Sequence, residues 1–352
     1  MKVAFFNSKN ASFLGTPQFQ QKADGSDDQY DIESFQKAAG RNSQGLEFNF
    51  LSVSLDRSTA PLAKDHEAIC IFVNDTCDAE TLDVLHSVGV KYIALRCAGF
   101  NNVDLDKAKS LGIKVCRVPA YSPEAVAEFA VGMILTVVRK YHKSFSRVRE
   151  GNFLLDGLLG FNLNGKTVGL IGTGRIGMLT GKILAHGFGC NVIAYDVYPN
   201  EEAAEKHGIK YVEKLDELLV ASDIISLHCP LNDGTYHILN DDALKKTKKG
   251  VVIINTSRGG LIDTNALIRF LKTDHLGAVG MDVYEQESAY FFSDSSEKII
   301  QDDILARLLS FYNVFISGHQ AFLTKEALAG IAETTLSNLK QLNDTETCEN
   351  IL

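Results

Sequence analysis

The sequence predicts an α/β protein of two domains, each built around a doubly wound parallel sheet. Three observations point there. Strand-like apolar runs alternate with helical patterns along the chain, the signature of stacked β-α units. Several of those runs are apolar throughout rather than alternating, as strands covered on both faces must be. At 352 residues, the chain also exceeds what one core of ordinary size accommodates.

In chain order, residues 1–6 form an apolar run that turns polar at Asn7-Ser8-Lys9. The run is too short for a signal-peptide core and lacks a small-residue cleavage site, so it reads as a first strand. Residues 10–28, rich in Gln and containing Gly-Ser-Asp-Asp, read as an exposed loop with no chemistry assigned to it. Further strands are expected at 67–73, 92–96, 115–118, 167–171, 192–195, 224–227, 251–255, 278–281 and 314–316. Residues 288–296 mix aromatics with Ser, Asp and Glu, which suits a surface loop.

The longest helix is expected to start at Ser122-Pro123-Glu124: a good cap, a proline at the first turn and an acid at the positive helix end. Val126, Phe129, Ala130, Met133, Ile134, Val137, Val138 and Tyr141 recur on one side, yet Ala127, Val131 and Leu135 make the other side apolar too. Such a helix is either deep core or a subunit interface.

The strand at 167–171 runs directly into Gly172-Thr173-Gly174-Arg175-Ile176-Gly177, with a helical pattern to Leu184. Alone, this spacing is weak; between a strand and a helix it is the dinucleotide-binding turn of a Rossmann-like domain. Gly172 permits the turn, Gly174 lets a pyrophosphate approach the backbone, and Gly177 allows the helix to pack on the strand. The helix start then holds the phosphates. Asp196 ends the next strand, where a carboxylate accepts ribose hydroxyls and repels a 2′-phosphate, favouring NAD over NADP.

Three later strands end in polar segments: Asn255-Thr256-Ser257-Arg258-Gly259-Gly260, Asp282-Val283-Tyr284-Glu285-Gln286-Glu287 and Ser317-Gly318-His319-Gln320. Ligands of open α/β sheets bind at the carboxyl ends of strands, so these segments should converge. Singly, Arg258, Glu287 and His319 read as ordinary surface or loop residues. Together they supply what reduction of a 2-keto acid requires. Histidine donates a proton near neutral pH, and a carboxylate partner, Glu287, fixes the ring and favours its charged form. Arginine grips a carboxylate bidentately and steadies charge on the neighbouring carbonyl oxygen.

Composition excludes other classes. A net charge of −9 argues against nucleic acid or an anionic membrane as partner. No stretch reaches the roughly 18 apolar residues of a membrane span. The seven cysteines are scattered without a CxxC pair, which suggests reduced thiols in a cytoplasmic setting and no metal site.

Seven stretches carry a family resemblance: RCAGFNNVDL (96–105), VPAYSPEAVAEFAVGM (118–133), GLIGTGRIG (169–177), SLHCPL (226–231), NTSRGGLID (255–263), GMDVYE (280–285) and GHQAFLTKEAL (318–328). The chain resembles the D-isomer-specific 2-hydroxyacid dehydrogenases, most closely the fermentative D-lactate dehydrogenases, from Tyr30 to its end. The resemblance implies NAD-dependent reduction of pyruvate, with Arg258, Glu287 and His319 as the catalytic trio. Larger keto acids such as phenylpyruvate or oxaloacetate remain open, as does a non-catalytic NAD(H)-sensing corepressor on the same fold.

The resemblance implies cofactor contacts at Arg175, Ile176, Asp196, Cys229, Pro230, Thr235, Thr256, Ser257 and Asp282. The substrate would meet Ala98, Gly99, Tyr121 and Phe322 beside Arg258. The resemblance also implies a discontinuous substrate domain (1–101 with 323–352) around an NAD-binding domain (102–322), and a homodimer or higher homo-oligomer using the long helix after Ser122. The loop at 10–28 looks like an insertion relative to the family.

Overall fold

The computed structural model describes residues 1–7, 30–42, 45–292 and 294–352, so the expected loop at 10–28 lies outside the described residues. The chain divides into two compact units, Met1–Ser122 with Leu323–Leu352, and Pro123–Phe322.

The first unit contains β1 (Lys2–Phe5), α1 (Tyr30–Asn42), β2 (Glu47–Phe50), β3 (Ala68–Ile71), α2 (Ala79–Ser87), β4 (Tyr92–Leu95), α3 (Leu105–Ser110) and β5 (Lys114–Cys116). Its five strands run parallel in the order β2-β1-β3-β4-β5. The first boundary therefore falls after residue 122 rather than 101. The cause is β5, whose Lys114, Val115 and Cys116 pair with Tyr92, Ile93 and Ala94 of β4. The C-terminal tail joins the same unit by backbone pairing: Arg117 N–H donates to Asn350 O and Leu352 N–H to Val115 O.

The second unit begins with α4 (Pro123–Val138) and α5 (Tyr141–Arg149). It continues through β6 (Thr167–Ile171), α6 (Arg175–Lys182), β7 (Asn191–Tyr195), α7 (Glu201–Lys206), β8 (Ile209–Tyr211), α8 (Leu215–Ala221) and β9 (Ile224–Leu227). It ends with α9 (Asp241–Lys246), β10 (Val251–Asn255), α10 (Thr264–Lys272), β11 (Leu276–Met281), α11 (Asp303–Ser310) and β12 (Val314–Ile316). A last helix, α12 (Lys325–Thr345), belongs to the first unit. The seven strands lie parallel in the order β12-β11-β10-β9-β6-β7-β8. From β6 the chain winds outward through β7 and β8, then returns to β9 and winds the other way. The reversal between β6 and β9 is the crevice where such sheets take ligands.

Both faces of this sheet are covered, which explains why its strands read as continuous apolar runs. Ile225, Leu227, Ile253 and Val279 pack on one side with Leu267 and Leu271 of α10. Val168, Leu170, Ile224, Val252 and Ile254 pack on the other with Met133, Ile134 and Val137 of α4. Nine residues of α4 are buried, so most of its apolar circumference is core, the first of the two readings its pattern allowed. A left-handed Lys140 (φ 55°) separates α4 from α5, and Tyr141 therefore starts a second helix instead of ending the first.

Two strands were not expected. β2 and β8 are edge strands of four and three residues with partly exposed side chains, too short to show a period. The helix after the glycine turn is regular only to Lys182, and a π-helical turn carries it on from Ile183 to Gly187.

Candidate active site

The carboxyl ends of the central strands lie level. Ile171 pairs with Leu227, Leu227 with Asn255, Asn255 with Met281 and Met281 with Ile316, so one register row crosses β6, β9, β10, β11 and β12. Every chemically interesting segment of the second unit leaves the sheet within a few residues of that row.

At the end of β6, Gly172 has φ 98°, and a Cβ there would lie 2.5 Å from Cys229 N. Gly177 is held just as closely, since its Cβ would meet Gly172 O at 2.2 Å. Gly174, by contrast, is exposed, with nothing within 4 Å of a Cβ. It is also the N-cap of α6, and no side chain among the described residues caps that helix. The turn therefore presents open backbone at a positive helix end, with Arg175 exposed and Ile176 partly exposed beside it. At the end of β7, Asp196 Oδ2 accepts from Thr173 N (2.6 Å) and Thr173 Oγ1 (2.8 Å), while Oδ1 accepts from Tyr198 N. Tyr211 OH lies 2.7 Å from Thr173 Oγ1. The glycine turn and Asp196 are thus locked to one another.

Next to this turn, Cys229 O accepts from Ser257 Oγ (2.8 Å), and Pro230 O accepts from Thr235 Oγ1 (2.6 Å). Burial pushes the Cys229 thiol up to about 12, so it stays neutral. Thr256 Oγ1 is buried with no hydrogen-bond partner among the described residues. An orphaned buried hydroxyl costs free energy unless a ligand satisfies it. That atom, the open space over Gly174 and the uncapped helix fit a dinucleotide.

The polar trio sits on the adjoining loops. Asn255 is fully buried; its Oδ1 accepts from Ser257 N and its Nδ2 donates to Arg258 O, which shapes the turn that holds Arg258. The Arg258 Nη1 donates to Ser257 O (2.7 Å), and no carboxylate among the described residues pairs with this guanidinium. His319 Nδ1 lies 2.8 Å from Glu287 Oε1, with both side chains mostly buried. Glu287 Oε2 accepts from Tyr284 N at 2.9 Å. His319 itself has φ 53°, a left-handed conformation that costs a side-chain-bearing residue of order 1–3 kcal/mol.

Asp282 holds that strain in place. Its Oδ1 accepts from Ser317 Oγ (2.7 Å) and Gln320 N (2.8 Å), its Oδ2 accepts from Ala321 N (2.9 Å), and its backbone O accepts from His319 N (2.7 Å). The resemblance implied a cofactor contact for Asp282. Its fully buried carboxylate clamps both flanks of the His319 turn.

Of the substrate residues, Ala98 and Gly99 follow β4 in the first unit, where Ala98 O accepts from Arg117 Nη1 and Gly99 O from Cys97 Sγ. Tyr121 is half-buried, and Phe322 is buried at the end of the second unit. Among the described residues no group of three or more His, Cys, Asp or Glu is placed to hold a metal, and no helix is long and apolar enough to cross a membrane. All seven cysteines are buried and none is in a disulfide. Motif reading assigned no role to Thr173, Tyr211, His237, Thr264 and Glu285, because their partners lie far off in sequence.

An imidazole–carboxylate pair and a guanidinium that no carboxylate among the described residues pairs, on loops adjoining a dinucleotide turn, suit hydride exchange with a carboxylate-bearing carbinol. That places the chain among NAD-dependent oxidoreductases acting on a CH–OH group. Comparison with known proteins supplies the family. Residues 131–321 match the NAD binding domain of the D-isomer specific 2-hydroxyacid dehydrogenases. The chain is 52% identical over 324 residues to the D-lactate dehydrogenase of Escherichia coli, covering 92% of this chain and 97% of that one. Its fold is similar to the apo-structure of D-lactate dehydrogenase from Escherichia coli, with a TM-score of 0.84, 48% identity and full coverage of both chains. It is also similar to the Aquifex aeolicus D-lactate dehydrogenase complexed with NAD and lactic acid, at TM-score 0.82, 33% identity and coverage of 99% and 98%. The chain belongs to the D-isomer specific 2-hydroxyacid dehydrogenase family.

Proposed function

We propose that this protein is a D-lactate dehydrogenase that interconverts pyruvate and D-lactate with NADH and NAD. The observation that carries the reading is the 2.8 Å approach of His319 Nδ1 to Glu287 Oε1 on a backbone turn held against its own strain. Glu287 takes one ring nitrogen and fixes the imidazole, leaving Nε2 to give a proton to the carbonyl oxygen of the substrate. Arg258 binds the substrate carboxylate and steadies the charge that develops on that oxygen. The dihydronicotinamide supplies the hydride when bound. Gly172, Gly174, Arg175, Ile176 and Gly177 hold its phosphates, Asp196 the ribose, and Cys229, Pro230, Thr235, Thr256, Ser257 and Asp282 shape the rest of its cleft. For Ala98, Gly99, Tyr121 and Phe322 the support for a substrate-binding role is the family resemblance. The first unit is the substrate-binding domain and the second the NAD-binding domain.

The protein works in the cytoplasm as a homo-oligomer. Support for the second statement is the exposed apolar stretch on α5 and the chain after it, including Phe145, Phe153, Leu154, Leu155 and Leu159. Leu155 is 82% and Leu159 88% exposed, an arrangement that another copy of the chain would cover.

The test is pyruvate-dependent oxidation of NADH, with specificity constants compared for pyruvate, phenylpyruvate and oxaloacetate. Pyruvate should be preferred, and His319→Ala should lose nearly all turnover. Preference for a larger keto acid would move the substrate assignment. Tight NADH binding with no turnover of any 2-keto acid would overturn the enzyme reading in favour of an NAD(H) sensor.

A further inference from the structure

The second unit contains another histidine–carboxylate pair that the reaction does not use. His237 Nε2 lies 2.7 Å from Glu285 Oε1, with side chains 27% and 24% exposed. The same carboxylate accepts from Thr264 Oγ1 at its other oxygen (3.0 Å) and from Tyr236 OH (3.3 Å). The Tyr236 ring stacks on the His237 ring at 3.9 Å between centroids. Three donors from two separate segments therefore converge on one side chain. His237 adopts a left-handed backbone (φ 51°), which a histidine takes only when its surroundings impose it. Its N–H donates to Gly260 O at 2.8 Å while its ring holds Glu285.

We infer that Glu285, anchored by His237, Thr264 and Tyr236, is a positioning residue for both Glu287 and Arg258. Two routes run from it. Along the chain, Glu285 pins one side of the turn at 284–287. Glu287 Oε2 folds back onto Tyr284 N, which leaves Oε1 for His319. Across space, Gly259 lies directly against this turn, for a Cβ there would meet Tyr284 C at 2.1 Å and Glu285 N at 2.3 Å. The backbone immediately after Arg258 is thus seated on the peptide that Glu285 holds, and His237 grips the next residue, Gly260. The clamp sets the carboxylate that orients the imidazole and the turn that carries the guanidinium.

The inference rests on the function proposed above, in which Arg258 and His319 meet a keto acid. A displacement of about 1 Å in such groups is enough to cost up to about a hundredfold in rate. The experiment compares the wild type with Glu285→Ala, Glu285→Gln and Thr264→Val. It measures kcat and KM for pyruvate, the affinity of oxamate (an isostere of pyruvate) for the NADH complex, NADH affinity and the melting midpoint. Glu285→Ala should lower kcat/KM for pyruvate at least about tenfold and weaken oxamate by a similar factor, with NADH affinity within about threefold of wild type.

Glu285→Gln, whose amide can accept from Thr264 and still contact the His237 ring, should recover most of the loss. Thr264→Val should fall between them and serves if the alanine variant does not fold. The inference fails if folded Glu285→Ala or Thr264→Val matches the wild type in both kcat/KM and oxamate affinity, or if activity falls only with the folded fraction. A wild type that neither reduces a 2-keto acid nor binds oxamate would sink the functional reading itself, and this inference with it.

Discussion

Replacing Glu287 by Gln preserves the volume of the side chain and removes only its charge and one acceptor. Glu287 now serves two donors, His319 Nδ1 at 2.8 Å and Tyr284 N at 2.9 Å, one with each oxygen. An amide has a single oxygen, so one of those donors must face an NH₂ group. The hydrogen bond lost or reversed in this way is charge-assisted, worth about 1.5–3 kcal/mol when buried. With the His319 and Glu287 side chains 14% and 23% exposed, solvent screening is partial. A loss of about 2 kcal/mol follows, which is about a 30-fold fall in kcat/KM for pyruvate. Steady-state NADH oxidation at neutral pH, with NADH affinity measured alongside, reads this directly. The loss should fall on the keto-acid step and leave NADH binding nearly unchanged, because Glu287 touches neither the glycine turn nor Asp196. A variant with kcat/KM within about threefold of wild type would refute the idea that the carboxylate acts on the ring.

Other predictions follow from the same geometry. Gly174→Ala should leave the melting midpoint unchanged, since nothing lies within 4 Å of the new methyl, yet weaken NADH binding. Gly177→Ala should lower the midpoint, because its methyl collides with Gly172 O at 2.2 Å; equal effects of the two on stability would contradict this. Burial pushes the His228 imidazole down to about 4 from an unfolded value of 6.5. Between those values the unfolded chain binds more protons, so stability rises with pH, is fully present above about 6.5 and is lost as pH falls toward about 4. The urea midpoint of His228→Asn should therefore depend less on pH in this window, with half-buried His142, also lowered, retaining part of the slope. An unchanged slope would count against it. Finally, Leu155→Asp with Leu159→Asp should yield a monomer by light scattering without unfolding, and an unaltered mass would remove this stretch from the interface.

Sequence and tertiary structure each decided different things. Strands β6, β9, β10 and β12 are legible to the residue because burial on both faces demands continuous apolar runs, and a run bounded by glycine and polar residues has sharp ends. The glycine turn is legible because close backbone approach requires glycine at particular spacings between a strand and a helix. Edge strands β2 and β8 escaped because a run of three or four residues is too short to establish a period. The end of the first unit at Ser122 rather than residue 101 depends on β5 pairing with β4, a non-local interaction.

The burial of α4 also had two readings in the sequence. An apolar circumference says only that the helix is covered, and it is the packing of Met133 against Gly280 that says by what. Asp282 as a clamp on a left-handed His319, and Glu285 as the meeting point of His237 and Thr264, join residues dozens of positions apart. Local sequence determines which side chains are available and which backbone shapes are cheap. Which donor finds which acceptor is set by the order in which strands stack, and that order is a property of the folded sheet alone.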